Sequence, residues 1–228
     1  MPNFDHIKNW VFDLDNTLYP PRHKLFDQID VNMTNFIMNY LGLPKKEAHV
    51  KQIHFYQTYG TTLNGLMEEH GVDPDEFLAL VHKIDVSHIP PNVELREQLI
   101  RITEERDFNR RIVYTNGTRR HAINVMDALE ITDLFDIIIG IRETKFVPKP
   151  HKEAFDSFFN MVDINPKTSA MFEDLPKNLI EPEKRGMITV LVQPAEVQHP
   201  DSRWAFNGDD THIQYKTKDL TGFLKSVI

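Results

Sequence analysis

Near its amino end the chain has a short apolar run that ends abruptly in polar residues: Trp10-Val11-Phe12-Asp13-Leu14-Asp15-Asn16-Thr17. A short, continuously apolar run is typical of a parallel strand that is buried on both faces. The polar residues would then lie at the carboxyl end of the strand, where parallel α/β sheets carry their active sites. The stretch therefore predicts the first strand of such a sheet, with a functional edge.

Further apolar runs follow the same rule, and helical patterns separate them. The runs cover residues 111–114, 137–139, 169–172 and 188–192. The helical patterns cover residues 94–106, 119–129, 152–161 and 177–185, the last with Pro182 inside it. After a polar, loop-like tail that begins at Ala195, we expect a short edge strand near 211–215 and a helix near 219–226. This alternation predicts a doubly wound, mainly parallel, Rossmann-like α/β sheet.

The segment between the first strand and the next βα unit has a different character, because it contains helical patterns and no convincing strand. The patterns cover residues 27–41, 45–59, 62–70 and 74–81. Gly42, Gly60 and Gly71 stand where these helices would stop. We therefore predict an all-helical cap at residues 21–89, inserted into an α/β core formed by residues 1–20 and 90–228.

Composition excludes several classes of function. The formal net charge is -8 and the sequence pI is about 5.7, with no basic stripe of the kind that nucleic-acid binders carry. An acidic surface also disfavours anionic membranes. The chain has no cysteine, which removes disulfides, thiolate metal sites and a cysteine nucleophile. The start of the sequence does not resemble a secretory signal, so we expect a cytoplasmic protein, and its oligomeric state stays open.

Asp13 and Asp15 are the first candidates for chemistry. If the strand persists to Asp13, both carboxylates face one crevice as the chain turns. One carboxylate can then attack a substrate while the other handles protons. An ordinary strand-end turn rich in Asp and Asn is the alternative.

Two further segments offer groups that suit phosphate oxygens. Thr115, Asn116 and Gly117 follow the second strand and precede a helix, where a hydroxyl and backbone N–H groups can bind an anion. Lys149 lies between two prolines just before another helix and supplies the cation that a phosphoryl group requires. A helix cap and a solvated loop lysine are the alternatives at these two places.

Glu173 and Asp174 end the fourth apolar run, with Asn178 one helical turn later. Carboxylate oxygens are the ligands that Mg²⁺ prefers in proteins. The same acidic pair would also complement the dipole of a following helix. The residues therefore indicate a magnesium site without excluding a structural role.

Together these motifs occur in the order Asp-x-Asp-x-Thr, Thr, Lys, Glu-Asp, which resembles the signature of the haloacid dehalogenase-like hydrolase superfamily. The resemblance implies that Asp13 is the nucleophile and that Asp15 protonates the leaving oxygen and later activates water. It further implies that Thr115 hydrogen-bonds the phosphoryl group and that Lys149 neutralises it. The substrate would be a small phosphorylated metabolite.

The same resemblance implies how the cofactor and the phosphate are held. Mg²⁺ would be bound by Asp13, Asp174 and the main-chain carbonyl of Asp15, with Glu173 in the outer coordination shell. Asn116 and Gly117 would contact the substrate through their backbone.

A closer resemblance joins residues 12–20, 59–66 and 171–179 to the pyrimidine 5'-nucleotidase branch of the superfamily. It implies activity on UMP- and CMP-type nucleotides, with Tyr59, Thr61 and Thr62 in the cap as substrate-binding residues. A plain helix–helix connection is the alternative for residues 59–66. Leu175 departs from the branch, which commonly has Ser or Asp there, and the departure bears on a contact to magnesium.

Three other functions fit the same motifs less well. The first is a phosphatase for sugar phosphates or other small metabolites. The second is a dehalogenase, in which Asp13 would attack carbon and neither Mg²⁺ nor the acid at Asp15 would be needed. The third is a catalytically idle binding protein that keeps the fold.

Overall fold

The structure is a computed structural model that describes residues 4–104, 109–193 and 210–228. Its centre is a six-stranded parallel sheet with the strand order β3-β2-β1-β4-β5-β6. The strands are β1 Asn9–Phe12, β2 Arg110–Tyr114, β3 Ile137–Ile139, β4 Ser169–Glu173, β5 Ile188–Val192 and β6 Tyr215–Thr217. The chain winds outward from β1 on one side and then from β4 on the other, which confirms the predicted doubly wound fold.

The central strands are buried on both faces, which explains their continuously apolar sequences. Phe12 pairs in register with Val113 of β2 and with Phe172 of β4. The rings of Phe12 and Phe172 stack with their centroids 4.7 Å apart, and Trp10 stacks on Phe172 at 6.0 Å. These contacts fix the two strands whose carboxyl ends carry the acidic residues.

The chain forms two compact units, Met1–His23 with Ser87–Ile228, and Lys24–Val86. The second unit consists of α1 Leu25–Leu41, α2 Lys45–Tyr59, α3 Thr62–His70 and α4 Pro74–Val81. Its core includes Ile37, Phe55 and Leu66, all fully buried. Gly42 and Gly71 end α1 and α3 in the left-handed conformation that glycine adopts at little cost. We keep the role of a cap for this helical unit as a prediction.

The helices of the first unit are α5 Val93–Glu104, α6 Arg119–Ala128, α7 Lys152–Val162, α8 Ile180–Lys184 and α9 Leu220–Val227. The predicted helix 177–185 is wrong in detail, since a 3₁₀ turn at Pro176–Leu179 precedes α8. Pro182 then falls in the first turn of α8, where a missing backbone N–H breaks no helical hydrogen bond. Residues 105 and 106 of another predicted helix, and residues 195–209 of the predicted polar tail, lie outside the described residues.

The predicted edge strand at 211–215 is also displaced, because β6 begins only at Tyr215. The hydroxyl of Thr189 donates to the carbonyl of His212 at 2.7 Å and accepts from the N–H of Gln214 at 3.1 Å. A side chain of β5 therefore takes two backbone bonds that a sheet ladder would otherwise use, and pairing starts where Tyr215 meets Val190.

Candidate active site

The acidic motifs meet where the strand order reverses, between β1 and β4. Asp13 follows β1 directly, and its N–H donates to the carbonyl of Phe172 at 2.9 Å. Glu173 is the last residue of β4, and Asp174 comes next. Thr115 follows β2 next door. In open α/β sheets this reversal creates the crevice in which ligands bind.

Lys149 lies at the centre of this group. Its Nζ donates to Asp13 Oδ1 at 2.7 Å, to Glu173 Oε1 at 2.9 Å and to the carbonyl of Tyr114 at 2.8 Å. These bonds use all three hydrogens of the ammonium group, and the side chain is fully buried. Burial by itself would lower the pKa of Lys149, but attraction to Asp13 and Glu173 outweighs it and raises the pKa above its ordinary value. The amine therefore stays charged.

Asn116 fixes the backbone that carries this lysine. Its side-chain oxygen accepts from the N–H of Lys149 at 2.8 Å, and its side-chain nitrogen donates to the carbonyl of Lys149 at 3.1 Å. The sequence predicts that Asn116 contacts substrate through its backbone. The structure shows a separate role for its side chain, which holds the Lys149 loop in place.

Both carboxylate oxygens of Glu173 accept hydrogen bonds from protein donors. Oε1 accepts from Lys149 and from the side-chain nitrogen of Asn178 at 2.5 Å, and Oε2 accepts from the N–H of Leu175 at 2.6 Å. These bonds agree with the outer-shell role that the sequence predicts for Glu173. The contact at Leu175 is made by the backbone, so it does not depend on whether that side chain is Leu, Ser or Asp.

The environment of Asp13, the candidate nucleophile, disfavours the charged form of its carboxyl group. Burial raises the pKa of Asp13 to about 7, with Lys149 opposing the rise and the nearby Glu173 and Asp15 adding to it. The folded protein therefore favours the protonated form of this group more than the unfolded chain does. A cation placed beside Asp13 would reverse that preference.

The chemistry of the donor set fits a divalent cation. Asp13, Glu173 and Asp174 are all buried, and each offers a carboxylate oxygen within 4.8 Å of the others. The charges of Lys149 and Lys177 offset only two of these three carboxylates, and the remaining buried negative charge is costly unless a cation compensates it. Oxygen-only ligands suit a hard ion such as Mg²⁺.

Thr115 and Gly117 form a closed turn after β2. The hydroxyl oxygen of Thr115 accepts from the N–H of Gly117 at 2.9 Å, so this N–H, predicted to contact phosphate, is already engaged. The hydroxyl of Thr115 keeps its own hydrogen and can donate it to a phosphoryl oxygen. A Cβ on Gly140 would lie 2.7 Å from the carbonyl oxygen of Gly117, so this turn packs directly on the backbone after β3.

Asp15 has two partners that the sequence did not suggest. The hydroxyl of Tyr19 donates to Asp15 Oδ1 at 2.5 Å, and Nε2 of His121 lies 2.9 Å from the same oxygen. Burial, followed by the charge of Asp15, raises the pKa of Tyr19 well above its ordinary value. Tyr19 stands four residues after Asp15, a spacing that was visible in the sequence. The partnership with His121 crosses 106 residues and had no local signal.

The cap residues predicted to bind substrate have roles within the helical unit. The hydroxyl of Tyr59 donates to Glu69 at 3.1 Å, and the hydroxyl of Thr61 caps α3 by accepting from the N–H of Asn64. Thr62 is buried. Gly65 lies inside α3 against Phe55, where a Cβ would come within 2.4 Å of the ring. These contacts favour the helix–helix connection over a dedicated substrate loop.

Comparison with known proteins decides the family. The sequence model of the haloacid dehalogenase-like hydrolase family matches residues 7–180, which is well over half of the chain. The chain belongs to this family. The matched range contains every motif described above, and the prediction of a hydrolytic enzyme of this superfamily is confirmed.

Among curated relatives of this hydrolase is Phosphate metabolism protein 8 of Saccharomyces cerevisiae, 31% identical over 162 residues. That alignment covers 66% of this chain and 50% of the yeast protein, so the chain spans about half the length of that relative. Validoxylamine A 7'-phosphate phosphatase of Streptomyces hygroscopicus subsp. limoneus is 22% identical over 199 residues, covering 79% of this chain and 83% of that protein.

A solved structure with the same fold is the putative HAD-hydrolase YfnB from Bacillus subtilis, described as bound to magnesium. It superposes with a TM-score of 0.59 at 14% identity and covers 97% of this chain and 98% of that chain. In the described residues of our hydrolase, every helix is too short or too polar to cross a membrane.

Proposed function

We propose that this hydrolase is a Mg²⁺-dependent phosphatase that cleaves small phosphomonoesters through an aspartyl-phosphate on Asp13. The observation that carries the proposal is the buried Lys149 ammonium, bonded at once to Asp13 and Glu173 at the reversal of the strand order. A fixed cation beside a buried nucleophile matches the charge that develops on a transferring phosphoryl group.

In the first step, an oxygen of Asp13 bonds to phosphorus while the bond from phosphorus to the leaving oxygen breaks. Asp15 gives its proton to that leaving oxygen. In the second step, Asp15 takes a proton from water, the water oxygen attacks phosphorus and the bond to Asp13 breaks. Throughout, the hydroxyl of Thr115 donates to a non-bridging oxygen, and the positive charge of Lys149, held beside Asp13, offsets the negative charge of the phosphoryl group.

Mg²⁺ is proposed as the cofactor, held by Asp13, Asp174 and the main-chain carbonyl of Asp15, with Glu173 supporting from outside. When bound, it supplies positive charge that offsets repulsion between the carboxylates and a phosphate dianion. Magnesium in the structural relative from Bacillus subtilis agrees with this assignment.

The surroundings of Asp15 favour a phosphatase over a dehalogenase. The buried hydroxyl of Tyr19 donates to Oδ1 of its carboxylate, and Nε2 of the buried His121 lies within hydrogen-bond distance of the same oxygen, so the orientation of the carboxylate is fixed. Attack on carbon with loss of halide needs no acid for the leaving group, whereas release of an alcohol from phosphate does. The Streptomyces relative is named as a phosphatase, which also supports a phosphatase over a dehalogenase.

Within this activity we propose pyrimidine nucleoside monophosphates such as UMP and CMP as substrates. The support is the resemblance of residues 12–20, 59–66 and 171–179 to the nucleotidase branch. The α/β motifs all serve the phosphate, so selection of a base would depend on the helical unit. A pocket that hydrogen-bonds a small ring can reject a larger one by size.

Sugar phosphates are the second candidate substrates. The side chain of Thr61 is used to cap α3 and Thr62 is buried, which weakens the argument for a base-binding loop. The Streptomyces relative is named for a phosphate ester that is not a nucleotide.

A substrate panel tests the proposal. Hydrolysis of UMP, CMP, AMP, GMP, a hexose phosphate and p-nitrophenyl phosphate is compared by kcat/KM, with Mg²⁺ and with EDTA. We expect turnover in the assays that contain Mg²⁺ and none in those that contain EDTA, with the highest kcat/KM for UMP or CMP. Equal values for purines and pyrimidines, or preference for the hexose phosphate, would remove the nucleotidase assignment and leave the phosphatase. Full turnover in EDTA would contradict the assignment of Mg²⁺ as the cofactor.

A further inference from the structure

Two buried side chains contact oxygen Oδ1 of the Asp15 carboxylate. The hydroxyl of Tyr19 and Nε2 of His121 both lie within hydrogen-bond distance of Oδ1, at 2.5 and 2.9 Å. A phenol hydroxyl donates to a carboxylate, and so does the histidine tautomer that carries hydrogen on Nε2. Two donors on one oxygen fix the rotation of the carboxylate and thereby the place of Oδ2.

The two donors come from different strand ends and are brought together by the fold. Tyr19 lies in the loop after β1, and His121 lies in the first turn of α6, after β2. Thr118 caps that turn, because its hydroxyl accepts from the N–H of His121 at 3.1 Å. The side chains of Tyr19 and His121 are 0% and 1% exposed. Buried polar groups of this kind are costly unless bonded, so the contact to Asp15 is part of what places them there.

We propose that Tyr19 and His121 are positioning residues that orient Asp15 so that Oδ2 carries the proton to the leaving oxygen. The inference rests on the proposed phosphatase function and extends it to two side chains for which the catalytic motifs give no role. With Oδ1 accepting from Tyr19 and from the Nε2–H tautomer of His121, the proton of the acid form is assigned to Oδ2. In the first step this proton moves to the leaving oxygen as its bond to phosphorus breaks.

This role makes a prediction that depends on the leaving group. A nitrophenolate leaves readily without a proton, whereas the alkoxide of a nucleoside or sugar needs one as the bond breaks. The value of kcat/KM reports the first irreversible step, which is formation of the phospho-enzyme. Misorientation of Asp15 should therefore lower kcat/KM for an alkyl phosphate much more than for p-nitrophenyl phosphate.

The test compares Tyr19→Phe with Tyr215→Phe, the same substitution on the outer strand β6. For Tyr19→Phe we expect kcat/KM for the best alkyl phosphate of the panel to fall about tenfold or more, with a change within about twofold for p-nitrophenyl phosphate. Tyr215→Phe should leave both values within about twofold. Equal losses on the two esters for Tyr19→Phe would mean a merely structural role and overturn the inference.

His121 provides an independent arm. His121→Leu removes the donor and should show the same selective loss on the alkyl ester. His121→Gln can place a side-chain nitrogen near the former Nε2, and it should recover part of the activity on that ester. If the Gln variant is as slow as the Leu variant while both melt like wild type, the hydrogen bond is not the reason for the loss and the assignment of His121 fails.

A double substitution separates positioning from other effects. In an Asp15→Asn background the acid is already gone, so adding Tyr19→Phe should change kcat/KM for the alkyl ester by less than about twofold. A further tenfold loss there would contradict the inference. Wild-type protein that hydrolyses neither ester would instead overturn the proposed function, and this inference with it.

Discussion

One amine serves two carboxylates at the centre of the site. Lys149 forms ion pairs with Asp13 and Glu173 from a fully buried position, and Asn116 holds its backbone by two hydrogen bonds. A flexible surface lysine would have to be ordered in each catalytic cycle. A buried lysine that is bonded on three sides needs no reorganisation when phosphoryl charge develops.

Replacing this amine should therefore damage catalysis directly. For Lys149→Met we expect kcat/KM on p-nitrophenyl phosphate to fall by about a hundredfold to a thousandfold, as when one preorganised donor is lost. Lys152→Met is the matched control, since that lysine is exposed and pairs with Asp156 on the surface of α7. Unchanged kcat/KM in Lys149→Met would show that the amine has only a structural role.

At the scale of elements, the turn after β2 is fixed by the backbone that follows β3. Gly140 lets the two backbones approach so closely that a Cβ would lie 2.7 Å from both the carbonyl oxygen of Gly117 and the nitrogen of Arg119. The N–H of Ile141 also donates to that carbonyl at 2.9 Å. The position of Thr115 thus depends on a small residue that directly follows another strand, β3.

Gly140→Ala should shift this turn. We expect a loss of about 1–3 kcal/mol in the free energy of unfolding, as for other overpacked sites, together with a lower kcat. The control is Gly186→Ala, which strains a left-handed backbone just before β5, while its Cβ would make only ordinary contact with the side chain of Lys167 at 3.6 Å. Urea unfolding and steady-state kinetics measure both effects. A Gly140→Ala protein with wild-type stability and kcat would contradict this account of the turn.

The local sequence predicts the strands of this protein better than it predicts the contacts between distant segments. Strands β1 to β5 were predicted to within a residue at each end, since runs buried on both faces are apolar throughout. The start of β6 depends on the side chain of Thr189. The contact between His121 and Asp15 joins two residues that are 106 positions apart in the sequence. Contacts between distant segments leave no pattern in the local sequence, so neither could be predicted.

At the scale of the whole molecule, the site works against the stability of the fold. The pKa of Asp13 rises from 3.8 in the unfolded chain to about 7 in the folded protein. For a carboxyl whose pKa is raised by folding, the contribution to stability is full below the unfolded pKa. It is lost as the pH rises through the folded pKa. A bound cation would compensate the charge that causes this loss.

Asp13→Asn should accordingly gain stability relative to wild type as the pH rises. With EDTA present, the melting temperature of the variant minus that of wild type should be larger at about pH 8 than at about pH 5. Mg²⁺ at the higher pH should stabilise wild type and have less effect on the variant. The same difference at both pH values would contradict the strain assigned to Asp13, and this readout does not depend on turnover.

The central claim is that Asp13 carries the phosphoryl group, and trapping the intermediate tests it most directly. Protein is quenched in acid during turnover of p-nitrophenyl phosphate with Mg²⁺, and the phosphorylated peptide is located by mass spectrometry. We predict one phosphate on Asp13 in wild type, more of it in Asp15→Asn because hydrolysis lacks its base, and none in Asp13→Asn, which should be inactive. Phosphate on another residue, or near-wild-type turnover by Asp13→Asn, would contradict the account.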